Sequence, residues 1–323
     1  MWDYVLLQLD IETSMATKTN KKKVHHFVHD AYINAWRVPD KIFVFDLIDK
    51  KLFEATGRNS VGASGKYNNF SFDATVLSLL DYSLKERAQR QESGRVYEMM
   101  LTFMDVMKDH EYEHKAENFL EDFYGEIEAK IGHALRSVFR GEIQVVTDDP
   151  AAFDGLIFLY CLQLMRVPKS RRALSEQMTE IFYDDARLNE QQKDEYIKIL
   201  LLIHSLAMSL DIIKKGCVIS LRHARYGEKF INSDAPVIVK GKHARRIEDH
   251  EGSMALSPRL VMEISHIGLG QKIFSYNDIG NGEVEKINLA MIANAERMVY
   301  FSSRNHREKY LSAMRDSRPA ASR

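Results

Sequence analysis

The sequence predicts an α+β protein with an N-terminal β hairpin, a helical middle, and a C-terminal small mixed sheet with a closing helix. Three observations support this class. Short aromatic and β-branched runs lie within residues 42–54, a stretch from about 73 to 215 has helical apolar spacing, and from Gly216 the apolar period shortens towards two. The 323 residues are 45% apolar and 28% charged, which is the balance of a folded globular protein.

The N-terminal part is expected to hold a flexible extension over residues 1–23, followed by the hairpin. Met15 begins a polar, lysine-rich segment that is typical of a natural start, so we expect residues 1–14 to be dispensable. The hairpin strands are predicted at Ile42–Phe45 and Lys51–Glu54, joined by a short turn.

Helical spacing governs the middle of the chain. Asp73 is a suitable N-cap for the first helix, Pro168 interrupts the apolar pattern, and Gly216 is a suitable C-terminal stop. The expected helices lie near 74–90, 94–108, 111–140, 151–166, 170–183 and 190–215.

The last part of the chain is expected to form the sheet, with a closing helix over 283–303 and a disordered tail over 316–323. The stretch 240–253 is polar and is expected to be a loop. The expected strands lie near 217–221, 229–232, 236–239, 260–264 and 272–275. Residues 24–315 are therefore predicted to form a single domain, with its sheet part at about 216–303.

Composition narrows the class of protein. Lys and Arg number 45 and Asp and Glu number 46, so any contact with nucleic acid must come from a local basic patch. Two cysteines cannot form a disulfide framework, which favours reduced thiols and a cytoplasmic protein. The longest apolar run, Leu156–Leu162, is far shorter than the roughly 20 residues of a spanning helix, so no membrane partner is expected.

One segment matches a zinc motif. The string HEYEH at residues 110–114 has the H-E-x-x-H pattern, in which His110 and His114 would bind the metal and Glu111 would act as general base. Charged residues on both sides of the string are typical of a solvated helix face. The solvated face is the favoured interpretation, the metal site is kept as the alternative, and no cofactor is assigned.

Gln163 and Arg166 are two polar residues in an otherwise apolar helix. They lie three positions apart and so share one helix face, where burial or a cavity is expected. A buried guanidinium needs a carboxylate, carbonyl groups or a bound anion as partner. A salt bridge between the helical part and the sheet, and a contact with a ligand, both remain open.

Five further polar residues are candidates for a site. His26 is a general acid or base, a metal ligand or an aromatic cap over the core. Asp234 either closes a turn by accepting from nearby amides or points into a cleft as acid, base or ligand. Ser257 and Arg259 lie at a strand edge where the guanidinium would hold an anion, and Asn294 either braces backbone or contacts a ligand.

These residues occur in short motifs that resemble those of a known family. The motifs are His26-Phe-Val-His-Asp-Ala-Tyr-Ile-Asn-Ala-Trp36, Gln163 to Pro168, Ser233 to Val237, Leu256 to Pro258, and Asn294-Ala295. Over about 24–302 the chain resembles an uncharacterised bacterial domain-of-unknown-function family, with its His-x-Val-Pro-x-x-Tyr-Leu-x-x-Phe motif, Gln-x-x-Arg-x-Pro helix end and Ser-Asp-x-Pro-Val turn. His29 stands at the family's usual proline. The family has no established activity, so the resemblance indicates which residues matter and not what they do.

Two functions remain in competition. The first is an intracellular nuclease-like effector, a toxin or phage-defence component, that acts on a phosphodiester or another anionic substrate with His26 and Asp234 as catalytic residues. Its substrate-binding residues would be Gln163, Arg166, Ser257, Arg259 and Asn294. The alternative is a non-enzymatic module that recognises a partner protein or a small ligand, which the near-zero net charge and the lack of Walker, G-x-G-x-x-G and G-x-S-x-G motifs favour.

Overall fold

The α+β class is confirmed by a computed structural model of the chain, which combines two larger sheets with a set of helices. The structure describes residues 25–26, 28, 30–56, 61, 63–64, 73–90, 124, 131–132, 134–182, 188–240, 251–267 and 270–316. The predictions for the extension 1–23, the helix 94–108, the motif at 110–114, most of the helix 111–140 and the tail from residue 317 lie outside these residues.

The predicted helices near 74–90, 151–166, 170–183 and 190–215 are present, and a short helix over Gln144–Asp148 was not predicted. The helices are α1 (Asp30–Ile33), α2 (Ala74–Arg90), α3 (Gln144–Asp148), α4 (Pro150–Met165), α5 (Pro168–Phe182), α6 (Glu190–Lys215), α7 (Asn281–Asn294) and α8 (Arg304–Asp316). Residues 134–139 are also helical. The side chain of Asp73 accepts a hydrogen bond from the Thr75 amide at 2.9 Å, which confirms it as a cap at the start of α2.

The strands form three groups of hydrogen-bonded neighbours. They are β1 (His25–His26), β2 (Lys41–Asp46), β3 (Lys51–Thr56), β4 (Ala63–Ser64), β5 (Cys217–Ala224), β6 (Asn232–Ser233), β7 (Val237–Lys240), β8 (Glu251–Ser257), β9 (Leu260–His266), β10 (Lys272–Ile279) and β11 (Met298–Phe301). The short strands β1 and β4 pair with each other. The five-stranded sheet has the order β10-β5-β9-β8-β7 and is mixed, as predicted, because only β10 and β5 run parallel.

The N-terminal hairpin is part of a larger sheet. Strands β2 and β3 pair as predicted, and β2 also pairs with β11, which in turn pairs with β6 in the order β3-β2-β11-β6. Tyr300 therefore lies opposite Val44 on one side and opposite Asn232 on the other. The first and last parts of the chain share one sheet.

Helices α4 and α6 form the centre of the molecule. Every residue of α4 from Ala152 to Gln163 is buried, and the helix packs against α6 and β7. An Asn189–Gln192 capping box begins α6, and Gly216, with φ of 91°, ends it. By length and composition α6 could cross a membrane, but 78% of its apolar window is buried inside the protein, and core helices pass the same test.

The C-terminal predictions need three corrections. The closing helix does not extend over 283–303, because α7 ends at Asn294 and the β-branched and aromatic run after it forms β11. The polar loop over 240–253 is wrong at its end, since β8 begins at Glu251. The strand expected over 229–232 is reduced to its last residue, where β6 begins.

Candidate functional site

A cavity of about 330 Å³ lies where the helical part meets the sheet part. Its walls are the end of α4, the start of α5, the strand β7 with the turn before it, and the end of α7. The lining residues are Gln163, Leu164, Val167, Lys169, Ser170, Ala173, Ala235, Val237, Val239 and Asn294. Val167, Ala235 and Val237 are buried and Ala173 is exposed, so the cavity opens to solvent beside α5.

A sharp turn between two helices builds one wall. Pro168 cannot continue α4 but is well suited to the first position of a helix, so α5 begins there at 61° to α4. Gln163 lies before this turn and Lys169 after it, and both side chains line the cavity. The chain thus brings an amide and an ammonium group to one space.

Gln163 is the most unusual residue of the cavity. Its side chain is 1% exposed, and in the part of the chain that the structure describes its Oε1 atom has no hydrogen-bond partner. A buried acceptor without a partner costs about 1–3 kcal/mol. Such groups in native proteins commonly mark a ligand or water position.

Lys169 is held by Asn294. Its Nζ atom donates to Asn294 Oδ1 at 2.6 Å and lies 3.3 Å from the backbone oxygen of the same residue. Burial lowers the pKa of Lys169, and nearby Arg172 lowers it further, whereas the carboxylates of Glu296 and Asp234 act in the opposite direction. Among the residues that line the cavity, Lys169 is the one with a charged side chain.

Asn294 fixes the opposite wall. Its Nδ2 atom donates to the carbonyl oxygens of Ala235 at 2.7 Å and Val237 at 2.8 Å, which joins the end of α7 to the turn before β7. These two donations orient the amide, so that its oxygen faces Lys169. Asn294 thus braces the backbone and positions the lysine.

Asp234 is buried and directly precedes Ala235, which lines the cavity. It accepts three backbone hydrogen bonds, from Glu296 to Oδ1 at 3.0 Å and from Arg297 and Met298 to Oδ2 at 2.9 and 3.0 Å. Burial raises the pKa of Asp234 to about 6, although these amides act to lower it. Both carboxylate oxygens are engaged, which is the arrangement of a backbone brace.

A partly buried ion pair lies next to the lysine. Arg172 of α5 donates to Glu296 at 2.6 Å, and the Glu296 side chain is 8% exposed. Burial raises the pKa of Glu296, while Arg172 and Lys169 act to lower it. Lys169 and Arg172 are two cations, and Asp234 and Glu296 are two carboxylates. The net charge around the cavity is therefore close to zero.

The remaining predicted residues lie elsewhere. Arg166 does not line the cavity, and its guanidinium lies 4.1 Å from the centre of the Tyr124 ring. The Arg259 amide donates to Ser257 Oγ, and its guanidinium donates to the Ala224 carbonyl oxygen at 3.1 Å, so these two residues make local bonds around the β8–β9 turn.

The proposed catalytic pair gains no support from these placements. His26 lies in β1, but its side chain falls outside the described residues, and so do His110, Glu111 and His114. Within the described ranges, no group of three or more His, Cys, Asp or Glu residues could hold a metal ion. Nuclease activity therefore stays a prediction.

Sequence reasoning missed Lys169, Arg172 and Glu296. Two of them lie next to a predicted motif, since Lys169 follows the Gln163–Pro168 helix end and Glu296 follows Asn294-Ala295. A charged residue beside a motif carries no distinct signal by itself, because most charged residues are exposed. Their positions follow from tertiary contacts, since Lys169 and Arg172 of α5 bond to Asn294 and Glu296 at and just after the end of α7.

Comparison with known proteins gives a family match. A family model described as "Protein of unknown function (DUF4238)" matches residues 24–305, which include every residue that lines the cavity. No curated protein and no solved structure matches the chain. The family match agrees with the resemblance seen in the sequence, and its description names no activity.

Proposed function

We propose, from the premise that this chain belongs to the DUF4238 family of proteins of unknown function, that it binds a small anionic molecule in the cavity between α4, α5, β7 and α7. The observation that carries this proposal is that Gln163, whose buried Oε1 atom has no hydrogen-bond partner among the described residues, lines the same cavity as Lys169. A ligand with one hydrogen-bond acceptor for Lys169 and one donor for Gln163 would give each of these side chains a partner.

The lysine supplies the contact for the anion. A protonated ammonium group has three donors, and Asn294 accepts from Lys169 through two oxygens. Within the described part of the chain, one donor therefore remains for a ligand oxygen at the cavity surface. Because burial weakens screening, this contact is stronger than the same pair at the protein surface.

The size and lining of the cavity fit a small molecule. A volume of about 330 Å³ lies at the lower end of the range for ligand pockets, which is about 300–1,000 Å³. Most of the lining side chains are apolar, with a small number of polar groups that would fix the orientation of a ligand. This combination supports recognition of one small molecule better than contact with an extended chain.

A binding measurement tests the proposal. Saturation-transfer NMR with a mixture of short aliphatic carboxylates and alkyl phosphates should give signals for the wild-type protein, and Lys169→Met should weaken them strongly. Lys41→Met is the matched control, because Lys41 forms an exposed ion pair with Glu54 in the hairpin. Equal signals from the wild type and Lys169→Met, or no signals from the wild type, would contradict the proposal.

A further inference from the structure

We infer that the cavity takes a small monocarboxylic acid that has an apolar body and a hydroxyl or N–H group. This inference rests on the proposed function and adds the chemical class of the ligand. Three features of the described residues carry it: the balance of charge around Lys169, the acceptor of Gln163, and the apolar side chains between the walls.

The charges around the cavity favour a single negative charge on the ligand. Lys169 is near the carboxylates of Glu296 and Asp234, and Arg172 is bonded to Glu296. A monoanion adds one negative charge opposite the lysine. A phosphate monoester carries about −1.5 to −2 charges at pH 7, and Lys169 is the one cation among the lining residues, so its second charge would meet no partner there.

The hydrogen-bonding groups specify the rest of the polar part. Gln163 Oε1 accepts hydrogen bonds and cannot donate them, so the ligand must provide a hydroxyl or N–H group there. If the amide is turned so that Nε2 takes the place of Oε1, Gln163 offers a donor instead. A carboxylic acid without a hydroxyl would then bind as tightly as one with a hydroxyl. A comparison of such acids therefore identifies the atom that faces the ligand.

The apolar side chains account for the body of the ligand. Leu164 and Val167 lie on the α4 side, and Val237 and Val239 lie on the β7 side. They define a space between two apolar walls, where an aliphatic chain gains from leaving water. A nucleic-acid strand is a poor fit, because such strands engage several phosphates through several cations, and the lining has one.

Four probes test the inference on the full-length protein by isothermal titration. They are caproate, α-hydroxycaproate, ω-hydroxycaproate and hexyl phosphate, so that the hydroxyl position and the anion class vary on one aliphatic chain. We expect one hydroxy acid to bind about fivefold more tightly than caproate, as expected for one neutral hydrogen bond. Hexyl phosphate should bind at least about tenfold more weakly than that hydroxy acid.

Variants assign the contacts to residues. Gln163→Leu should bring the hydroxy acid and caproate to equal affinity, and Lys169→Met should weaken all three acids by about tenfold or more. Lys169→Gln keeps a polar side chain if the methionine variant does not fold, and it should show the same loss. Cooperative melting of each variant confirms that it is folded.

The outcomes separate this inference from the proposed function. Tightest binding of hexyl phosphate, or a hydroxyl preference that survives in Gln163→Leu, would overturn the inference while the anion-binding proposal stands. Equal affinity of caproate and both hydroxy acids in the wild type would do the same. Binding of none of the four probes would overturn both.

Discussion

Gln163→Leu should stabilise the ligand-free protein, although it removes a polar residue from a candidate site. The side chain is 1% exposed and its Oε1 atom has no partner among the described residues, so the wild type bears the penalty of an unmade hydrogen bond, about 1–3 kcal/mol. Leucine has a similar size and adds apolar contact. Because the cavity is open beside Ala173 and water reaches part of it, we expect the lower end, a gain of about 1 kcal/mol in the free energy of unfolding.

Urea denaturation followed by circular dichroism measures this gain as a shift of the midpoint at constant slope. Asn294→Leu is the matched control, because its amide donates to Ala235 and Val237 and accepts from Lys169. That variant should lose about 2–4 kcal/mol, since it leaves these groups without their partner. A loss of more than about 1 kcal/mol in Gln163→Leu would refute the reasoning, because it would mean that the amide is satisfied in the folded protein.

Three other predictions concern the structure around the site. Asp234→Ala should lower the free energy of unfolding by about 3–5 kcal/mol in urea titrations, because three backbone amides lose their acceptor. Since burial raises the pKa of Asp234 to about 6, the folded state binds the extra proton, and the contribution of Asp234 to stability, measured as the difference between wild type and the Ala variant, should fall as pH rises from about 4 to 6; an Ala variant with the same pH dependence as the wild type would contradict this. Gly252→Ala should lower the melting temperature, because a Cβ atom there would lie 1.8 Å from the Tyr160 hydroxyl, and overpacking costs about 1–3 kcal/mol; an unchanged melting temperature would show that the ring moves freely. Neither cysteine should react with a thiol reagent before unfolding, since both are buried and burial raises the pKa of each thiol to about 12; rapid labelling of the native protein would exclude this burial.

The parts of the fold that were predicted correctly are those with strong local signals. Helix α2 begins after its Asp73 cap, and α6 has apolar spacing that ends at Gly216. Strands β8 and β11 were missed because their local sequence does not distinguish them. Glycine and serine interrupt β8, and β11 follows a helix directly, so the pairing partners β9 and β2 decide both strands.

The site was predicted to the extent that a polar residue stood out from its neighbours. Gln163 stood out in an apolar helix and Asn294 in a predicted helix where asparagine has low propensity, and both line the cavity. Arg166 stood out equally, yet it directly follows the last residue of α4 and its guanidinium lies over Tyr124, outside the cavity. Lys169 and Glu296 could not be found in this way, since only tertiary packing buries them.

The position of β11 has a consequence for synthesis on the ribosome. This strand lies between β2 and β6, so the earliest strands of the four-stranded sheet must wait for residues 298–301 before they can be completed. Until then β2 and β3 form a two-stranded hairpin, which is at best marginally stable in water and has an open edge. The nascent protein is therefore expected to depend on chaperones late in translation, and proteolytic loss of the segment from Met298 onward would leave two strand edges free to join those of other molecules.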